Sequence, residues 1–533
     1  MSRRRLASAL LVVVLALSLA GVAVHARLSG SSGGHRNPGL PQRTPPAESD
    51  GKAPAVAPAV CAAAPAAPAR TARADPRQRI NRTDFNGDGF PDVHLNAWYR
   101  PKEGGGWLHH RVVVTGSARG IAPAAGVSLS IPGLDPATST RPLAANSAAH
   151  LTGDLDGDGL ADLLVQNSLH NNDHFWTGQS IVWGSRKGTP HTVRLPAGYP
   201  LFRSTGDFDG DGTLDLVGLR DGHEVQPPGF HDRSRTACFT ILYGPFTRTG
   251  EPRRTVAVEA AQGGAVGVSS LVTGDFDGDG RDDVLTRGGL PEPPEDQSRS
   301  DWYDEDRLPR DLVDTRYYRG TPEGPAVAAL PTGVSKALPL PSRGGDRSTP
   351  LLGAGRLDGD RFTDVIRTDG TILHGGPNGP GARTSRLPVT SGISGQDPPG
   401  TLRTVGYIGG PALADLNGDG QDDIVNRDSR GKPAGTVSIL LSRPDGGYAS
   451  PLTIDRYALH LTTRPAHAAD ADNFGWDVAA EDLDGDGCAE LLVGYRGFST
   501  PREEHGYWVF PGTSGGPDIR KARFVPVRKM GAN

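Results

Sequence analysis

Bulky side chains are scarce here: Phe, Trp and Tyr make up 6% of the 533 residues, and hydrophobic residues of all kinds only 36%. With 73 Gly and 46 Pro interrupting any helical period, long buried helices are excluded and an all-β chain of short strands and many turns is expected. Charge of one sign is lacking too. The formal net charge is -5 with no long run of either sign, which leaves no electrostatic footprint for nucleic acid or an anionic membrane surface. Cysteine is nearly absent: Cys61, Cys238 and Cys488 are an odd set, so at least one thiol stays unpaired within the chain and disulfides are not its main staple. Catalytic signatures are missing as well. There is no HExxH, P-loop or CxxC, and the one Gly-x-Ser-x-Gly string, Gly30 to Gly34, follows no strand and opens no helix. Nothing therefore marks the chain as an enzyme.

What is present begins with an export signal. Arg3, Arg4 and Arg5 precede an apolar stretch from Leu6 to Val24, and Val24 and Ala26 stand where a signal peptidase takes small residues, so cleavage is expected after Ala26. The same 19-residue stretch is long enough to span a bilayer as an uncleaved anchor, a membrane tether. Both readings put the body of the protein outside the cell, secreted or anchored at its surface. Residues 27–76 are Gly/Ser-rich and then Ala/Pro-rich, a disordered linker that lacks the side chains for a core.

From there one pattern recurs seven times: DFNGDGFPD from Asp84, DLDGDGLAD from Asp154, DFDGDGTLD from Asp207, DFDGDGRDD from Asp275, RLDGDRFTD from Arg356, DLNGDGQDD from Asp415 and DLDGDGCAE from Asp482. The starts lie 53 to 81 residues apart, a spacing suited to one four-stranded sheet per repeat. Each acidic loop is followed at once by a β-rich run such as LLVQN or LLVGY, and later by a strand ending near glycine, such as SIVWG or TILHG. The order is strand, acidic loop, strand, variable loop, strand, turn, strand. A sheet this small cannot cover its own faces, so it must stack on its neighbours.

Alternation within the loop turns acids at positions 1, 3 and 5 toward one point while Leu or Phe at position 2 faces inward. Carboxylates gathered so closely repel one another unless a hard cation sits between them, and calcium takes six to eight oxygens in a tolerant geometry. Glycine at position 6 permits the sharp reversal. An isolated copy would be a solvated turn; six intact copies at domain-like intervals are not. An EF-hand is excluded because position 12 is Leu95, Val165, Gly218, Thr286, Asn426 and Val493 in the intact copies, never an acid. The closing carboxylate stands at position 9 instead. The candidate metal ligands are Asp84, Asn86, Asp88 and Asp92; Asp154, Asp156, Asp158 and Asp162; Asp207, Asp209, Asp211 and Asp215; Asp275, Asp277, Asp279 and Asp283; Asp415, Asn417, Asp419 and Asp423; and Asp482, Asp484, Asp486 and Glu490.

These repeats resemble the FG-GAP, or VCBS-type, repeat of integrin α-subunit propellers and of exported bacterial proteins, over about residues 77 to 528. The likeness is strongest in the last repeat, where Asn473-Phe474-Gly475-Trp476-Asp477-Val478 supplies the FG element. The resemblance implies a seven-bladed β-propeller of four-stranded antiparallel blades over residues 77–533, with about six calcium ions in hairpin loops on one face. It assigns no activity, since the same blades serve many roles. The fifth repeat departs from the pattern: Arg356 replaces the first aspartate and Arg361 the second glycine. It is expected to hold no calcium, with Arg356 or Arg361 pairing with Asp358, Asp360 and Asp364. Six bound divalent ions would move the formal charge from -5 to +7, so removing them should leave strong local repulsion.

Antiparallel order puts all seven acidic loops at one face and the long loops between second and third strands at the other. Those opposite loops carry Trp98, Trp107, His174, Trp176, His231, Trp302, Tyr303 and His505, the candidate ligand-binding residues. The expected function is a monomeric, exported, calcium-binding ligand-binding or adhesion module that recognises a protein or glycan there. The runner-up is an exported hydrolase or polysaccharide lyase built on the same scaffold.

Overall fold

The computed structural model describes residues 65–66, 83–99, 108–129, 150–171, 174–188, 190–196, 198–219, 238–259, 266–289, 315–331, 334, 351–367, 370–388, 411–428, 436–456, 458–460, 473–496 and 505–531. They fold as seven antiparallel sheets, one per repeat, into a seven-bladed propeller. Blade one has β1 (Val93–Tyr99), β2 (Leu108–Thr115) and β3 (Ala122–Ser128); blade two has β4 (His150–Gly153), β5 (Asp162–Asn171), β6 (His174–Trp183) and β7 (His191–Arg194). Blade three has β8 (Leu201–Gly206), β9 (Asp215–Leu219), β10 (Cys238–Tyr243) and β11 (Arg254–Glu259); blade four has β12 (Val266–Gly274), β13 (Asp283–Gly289), β14 (Thr315–Arg319) and β15 (Ala326–Ala328). Blade five comprises β16 (Leu351–Gly355), β17 (Asp364–Arg367), β18 (Thr371–His374) and β19 (Arg383–Arg386). Blade six comprises β20 (Ala412–Ala414), β21 (Asp423–Asp428), β22 (Thr436–Leu440) and β23 (Leu452–Ile454), and blade seven β24 (Asn473–Glu481), β25 (Glu490–Arg496), β26 (His505–Phe510) and β27 (Arg523–Pro526). Six sheets thus show the expected four strands in sequence order. Blade one shows three, because the segment before its acidic loop lies outside the described residues.

The middle strands explain why the runs after each loop read as nearly unbroken apolar stretches. Every residue of β9, β10 and β17 is buried, since both faces of these strands meet neighbouring blades. Outer strands read differently. β7 (HTVR) is exposed at both ends and β19 (RTSR) along most of its length, and their charged side chains protect edges that would otherwise invite another strand.

Hydrophobic burial is organised by seams rather than by a single centre. Seven clusters form, and each joins two consecutive blades: Phe85 packs with Leu163 and Val182, Leu155 with Leu216 and Leu242, and Leu483 with Val93 and Val112. The apolar residue at loop position 2 is buried in a seam in every blade, as its alternation with the acids requires. The last seam closes the ring. Val525, Val527 and the fully buried Met530 pack with Leu95, Val114 and Ile121 of blade one, and Gly531 donates its N–H to Pro123 O at 3.2 Å.

The segment at residues 1–26, expected to be a signal peptide or anchor, lies outside the described residues, as does all of the expected linker at 27–76 except Pro65 and Ala66. Those two do have a fixed partner: Ala66 forms a parallel bridge with Val327, whose N–H donates to Pro65 O at 2.7 Å. Cys238 is disulfide-bonded and Cys488 is a free, half-buried thiol, while Cys61 lies outside the described residues.

Candidate metal centre

In blades two to seven each acidic loop joins the first two strands, in blade one it leads into β1, and every loop is shaped by its own carboxylates. In blade two, Asp154 Oδ1 accepts from Gly157 N at 2.7 Å and its Oδ2 from Gly159 N at 2.9 Å, while Asp158 accepts from Leu160 N at 2.9 Å. Both glycines lie at positive φ, 78° and 84°, a conformation that an L side chain adopts only with strain. Position 4 therefore needs glycine as much as position 6, which the composition of the loop alone did not reveal.

Position 9 does more than close an ion site. In all seven blades its carboxylate accepts from the backbone N–H of position 2 through one oxygen, and through the other from an N–H just past the third strand. Asp162, for example, accepts from Leu155 N at 2.9 Å and Gly184 N at 2.8 Å. It staples loop to sheet. That role explains why the fifth repeat keeps Asp364 after losing its first aspartate: Leu357 N and Gly375 N donate to it at 3.2 and 2.9 Å.

Among the described residues, ligating atoms converge within 4.8 Å in Asp154, Asp156 and Asp162, in Asp207, Asp209 and Asp215, in Asp275, Asp277 and Asp279, and in Asp482, Asp484 and Glu490. Positions 1, 3 and 9 meet in blades two, three and seven, and positions 1, 3 and 5 in blade four. Asp158, Asp211 and Asp486 at position 5 stand outside their groups, and so does Asp283 at position 9 of blade four. Blades one and six carry Asn86 and Asn417 at position 3, whose Nδ2 groups donate to Asp88 at 3.0 Å and Asp419 at 3.1 Å. Their Asp84, Asp92, Asp415 and Asp423 repeat the carboxylate bonding of the other loops.

Burial charges these loops unfavourably. Desolvation lifts Asp92 to about 7, Asp162 to about 8, Asp215 to about 9, Asp423 to about 7 and Glu490 to about 7, despite the backbone N–H groups that favour the ionised form. Asp283, fully buried, is raised well above the ordinary carboxylate range by the same cause and by the charge on Asp277. Arginines offset part of the repulsion from the outer side: Arg248 contacts Asp156 at 2.6 Å, Arg253 contacts Asp209 at 2.6 Å and Arg319 contacts Asp277 at 2.7 Å. One carboxylate oxygen of these groups is left over. Asp209 Oδ1 is buried without a hydrogen-bond partner, and the ligating atoms of these four groups are all carboxylate oxygens, the set a hard divalent cation takes.

The fifth loop corrects one expectation. Neither Arg356 nor Arg361 pairs with Asp358, Asp360 or Asp364 among the described contacts. Arg356 offers its backbone N–H to Asp422 at 2.7 Å, and the Arg361 guanidinium lies 5.0 Å from the centre of the Phe362 ring. The groups that meet these acids come from the third and fourth strands instead: the Arg383 guanidinium contacts Asp358 directly, and His374 Nδ1 lies 3.0 Å from Asp358 and 3.4 Å from Asp364. Sequence distance hid them, since both stand outside the repeat motif.

Of the residues expected to bind a ligand, Trp107, His231, Trp302 and Tyr303 lie outside the described residues. Trp98 on β1 pairs with His109, His174 with Asn171, Trp176 with Leu169, and His505 with Arg496. These positions stand at the strand ends remote from the acidic loops.

Residues 154–218 match the family model for the FG-GAP-like repeat, and residues 474–508 the model for the FG-GAP repeat. The second match begins at Phe474, which is fully buried, and includes Gly475, where φ is 72° and the pairing of β24 with β25 shifts register. No curated protein matches the chain. Solved structures resemble it distantly: the Photorhabdus luminescens Tc holotoxin pore at 15% identity and a TM-score of 0.30, covering 80% of this chain and 17% of that one. BBS1N in complex with ARL6DN aligns at 11% identity and a TM-score of 0.33, covering 80% of this chain and 95% of that one. The Dos1 propeller aligns at 9% identity and a TM-score of 0.34, covering 84% of this chain and 86% of that one. This chain thus spans under a fifth of the toxin chain it matches.

Proposed function

We propose that this FG-GAP-repeat propeller is an exported calcium-binding module that recognises a protein or glycan with the face opposite its acidic loops. The observation that carries the calcium reading is the convergence of Asp207, Asp209 and Asp215 around a buried carboxylate oxygen that has no hydrogen-bond partner. Six loops of the intact pattern give about six ions, bound by side-chain oxygens and loop carbonyls. Calcium would supply charge neutralisation at the rim. The chain's own residues do the rest: position 9 fixes each loop to its sheet, and position 2 fixes it to the next blade.

Export, surface location and the ligand face rest on the N-terminal Arg3, Arg4 and Arg5 with their apolar stretch, and on the aromatic and histidine content of the opposite loops. The test is a glycan array and extracellular-matrix protein panel probed with the full mature chain, in calcium and in chelator. Saturable binding that weakens at least about tenfold in chelator and in a Trp98→Ala, Trp176→Ala double variant supports the reading. Binding that survives both contradicts it, and turnover of a polysaccharide would replace it with the lyase or hydrolase.

A further inference from the structure

Blade five lacks the first aspartate, yet it holds the most deeply buried cluster of metal-ligating side chains among the described residues. Asp358, Asp364 and His374 are all buried, and one ligating atom of each lies within 4.8 Å of the others. Unlike the four carboxylate groups, this one contains nitrogen. The histidine comes from the last position of β18, just before the glycine that donates to position 9. The same place holds Thr115, Trp183, Tyr243, Arg319, Leu441 and Pro511 in the other six blades, none of which is a common metal ligand.

The ring is fixed in the orientation that a ligand needs. His374 Nε2 lies 2.7 Å from Ser385 Oγ of β19, a partner that can accept a hydrogen bond from Nε2–H and so leave the Nδ1 lone pair facing inward. Nδ1 is aimed at the carboxylates, 3.0 Å from Asp358 Oδ2 and 3.4 Å from Asp364 Oδ1, but makes no hydrogen bond, and the side chain is 1% exposed. A buried nitrogen lone pair directed at two carboxylates is repelled unless a cation lies between them. Arg383 touches Asp358 from outside, and with 55% of its side chain exposed it can swing into solvent when an ion enters.

We propose that blade five is a borderline-metal site, with Asp358, Asp364 and His374 as ligands for zinc or a similar divalent transition ion, distinct in chemistry from the oxygen-only loops. Imidazole nitrogen with two carboxylates suits such ions, whereas calcium takes oxygen donors. Loss of the position 1 oxygen is then compensated by the nitrogen from β18, and the one degenerate repeat becomes the selective one.

The test is titration of the full chain with zinc in excess calcium, followed calorimetrically and by the visible spectrum of cobalt bound in its place. About one zinc per chain should bind and resist calcium, and His374→Ala should weaken it at least about tenfold while His191→Ala on β7 leaves it unchanged. Circular dichroism checks that each variant is folded. Should His374→Ala fail to fold, Ser385→Ala is expected to weaken zinc about tenfold and Arg383→Ala to strengthen it by freeing Asp358. Zinc affinity unaltered in a folded His374→Ala chain, or in both alternative variants, overturns the proposal, as does stoichiometric displacement of zinc by calcium. Failure of calcium binding at the other loops would leave these readings where they are, so the two assignments fail separately.

Discussion

The N–H of Ala161 donates to the carbonyl oxygen of Asp84 across 2.8 Å, tying position 8 of one acidic loop to position 1 of the loop before it. The same bond recurs from Leu214 to Asp154, Asp282 to Asp207, Thr363 to Asp275, Asp422 to Arg356 and Ala489 to Asp415. Six rungs join seven loops. The seventh position 8 is Pro91, which has no N–H to give. What remains there is a bond from Ser117 N to Leu483 O at 2.9 Å, of the kind that Ser185 makes to Phe85. The seam between blades seven and one therefore leans more on its side chains and on the C-terminal turn. Met530→Ala should cost about 2–5 kcal/mol in a denaturant melt, because it empties a fully buried position on that seam. A cost below about 0.5 kcal/mol would show that the turn does not latch the ring.

The staple at position 9 separates structure from ion binding. Asp162→Ala leaves the N–H groups of Leu155 and Gly184 without their acceptor, so it should destabilise the chain by about 2–5 kcal/mol even in chelator at neutral pH. Asp158→Ala, at exposed position 5, should stay within about 0.5 kcal/mol under the same conditions. Equal losses in the two variants would contradict the staple.

Acidity gives an opposite test with and without calcium. Asp162 and Asp215 rise from 3.8 to about 8 and about 9 through burial, so the folded chain holds these protons more tightly than the unfolded one. Their contribution to stability is complete below pH 3.8 and is lost as pH rises through about 8 and about 9. In chelator the melting temperature should therefore fall between neutral pH and about pH 9. With calcium the fall should shrink or vanish, because the ion takes the ionised form. Parallel curves in both conditions would count against ion binding by these groups.

Two glycines of blade two should respond differently. Gly159, at φ 84° with no atom within 4 Å of an added Cβ, is open in space but strained in backbone, so Gly159→Ala should cost about 1–2 kcal/mol. A Cβ on Gly184 would lie 2.4 Å from Ala161 O, a backbone atom, so Gly184→Ala should cost more than Gly159→Ala in the same thermal melt. The reverse order would contradict the close approach of loop and third strand.

Much of this was legible from spacing alone. Seven copies of the loop give seven blades, and alternation within the loop sends Phe208 or Leu483 into a seam and turns the acids the other way, toward one another. The dual bond of Asp162 was not legible, because Gly184 follows it by 22 residues and no motif links the two. His374 and Arg383 escaped for the same reason: they enter the fifth loop from strands whose register only folding defines. Nor could spacing divide the acids of one loop among their tasks. Alternation does not distinguish Asp156, whose carboxylate joins the group of ligating atoms, from Asp158, which stands outside it, though both accept from N–H groups of their own loop.

The most direct test is the calcium content of the purified, folded chain, measured by equilibrium dialysis at millimolar free calcium. About six tightly held ions per chain are predicted, falling by about one in an Asp207→Ala, Asp209→Ala double variant. A folded chain that retains no calcium would contradict the account.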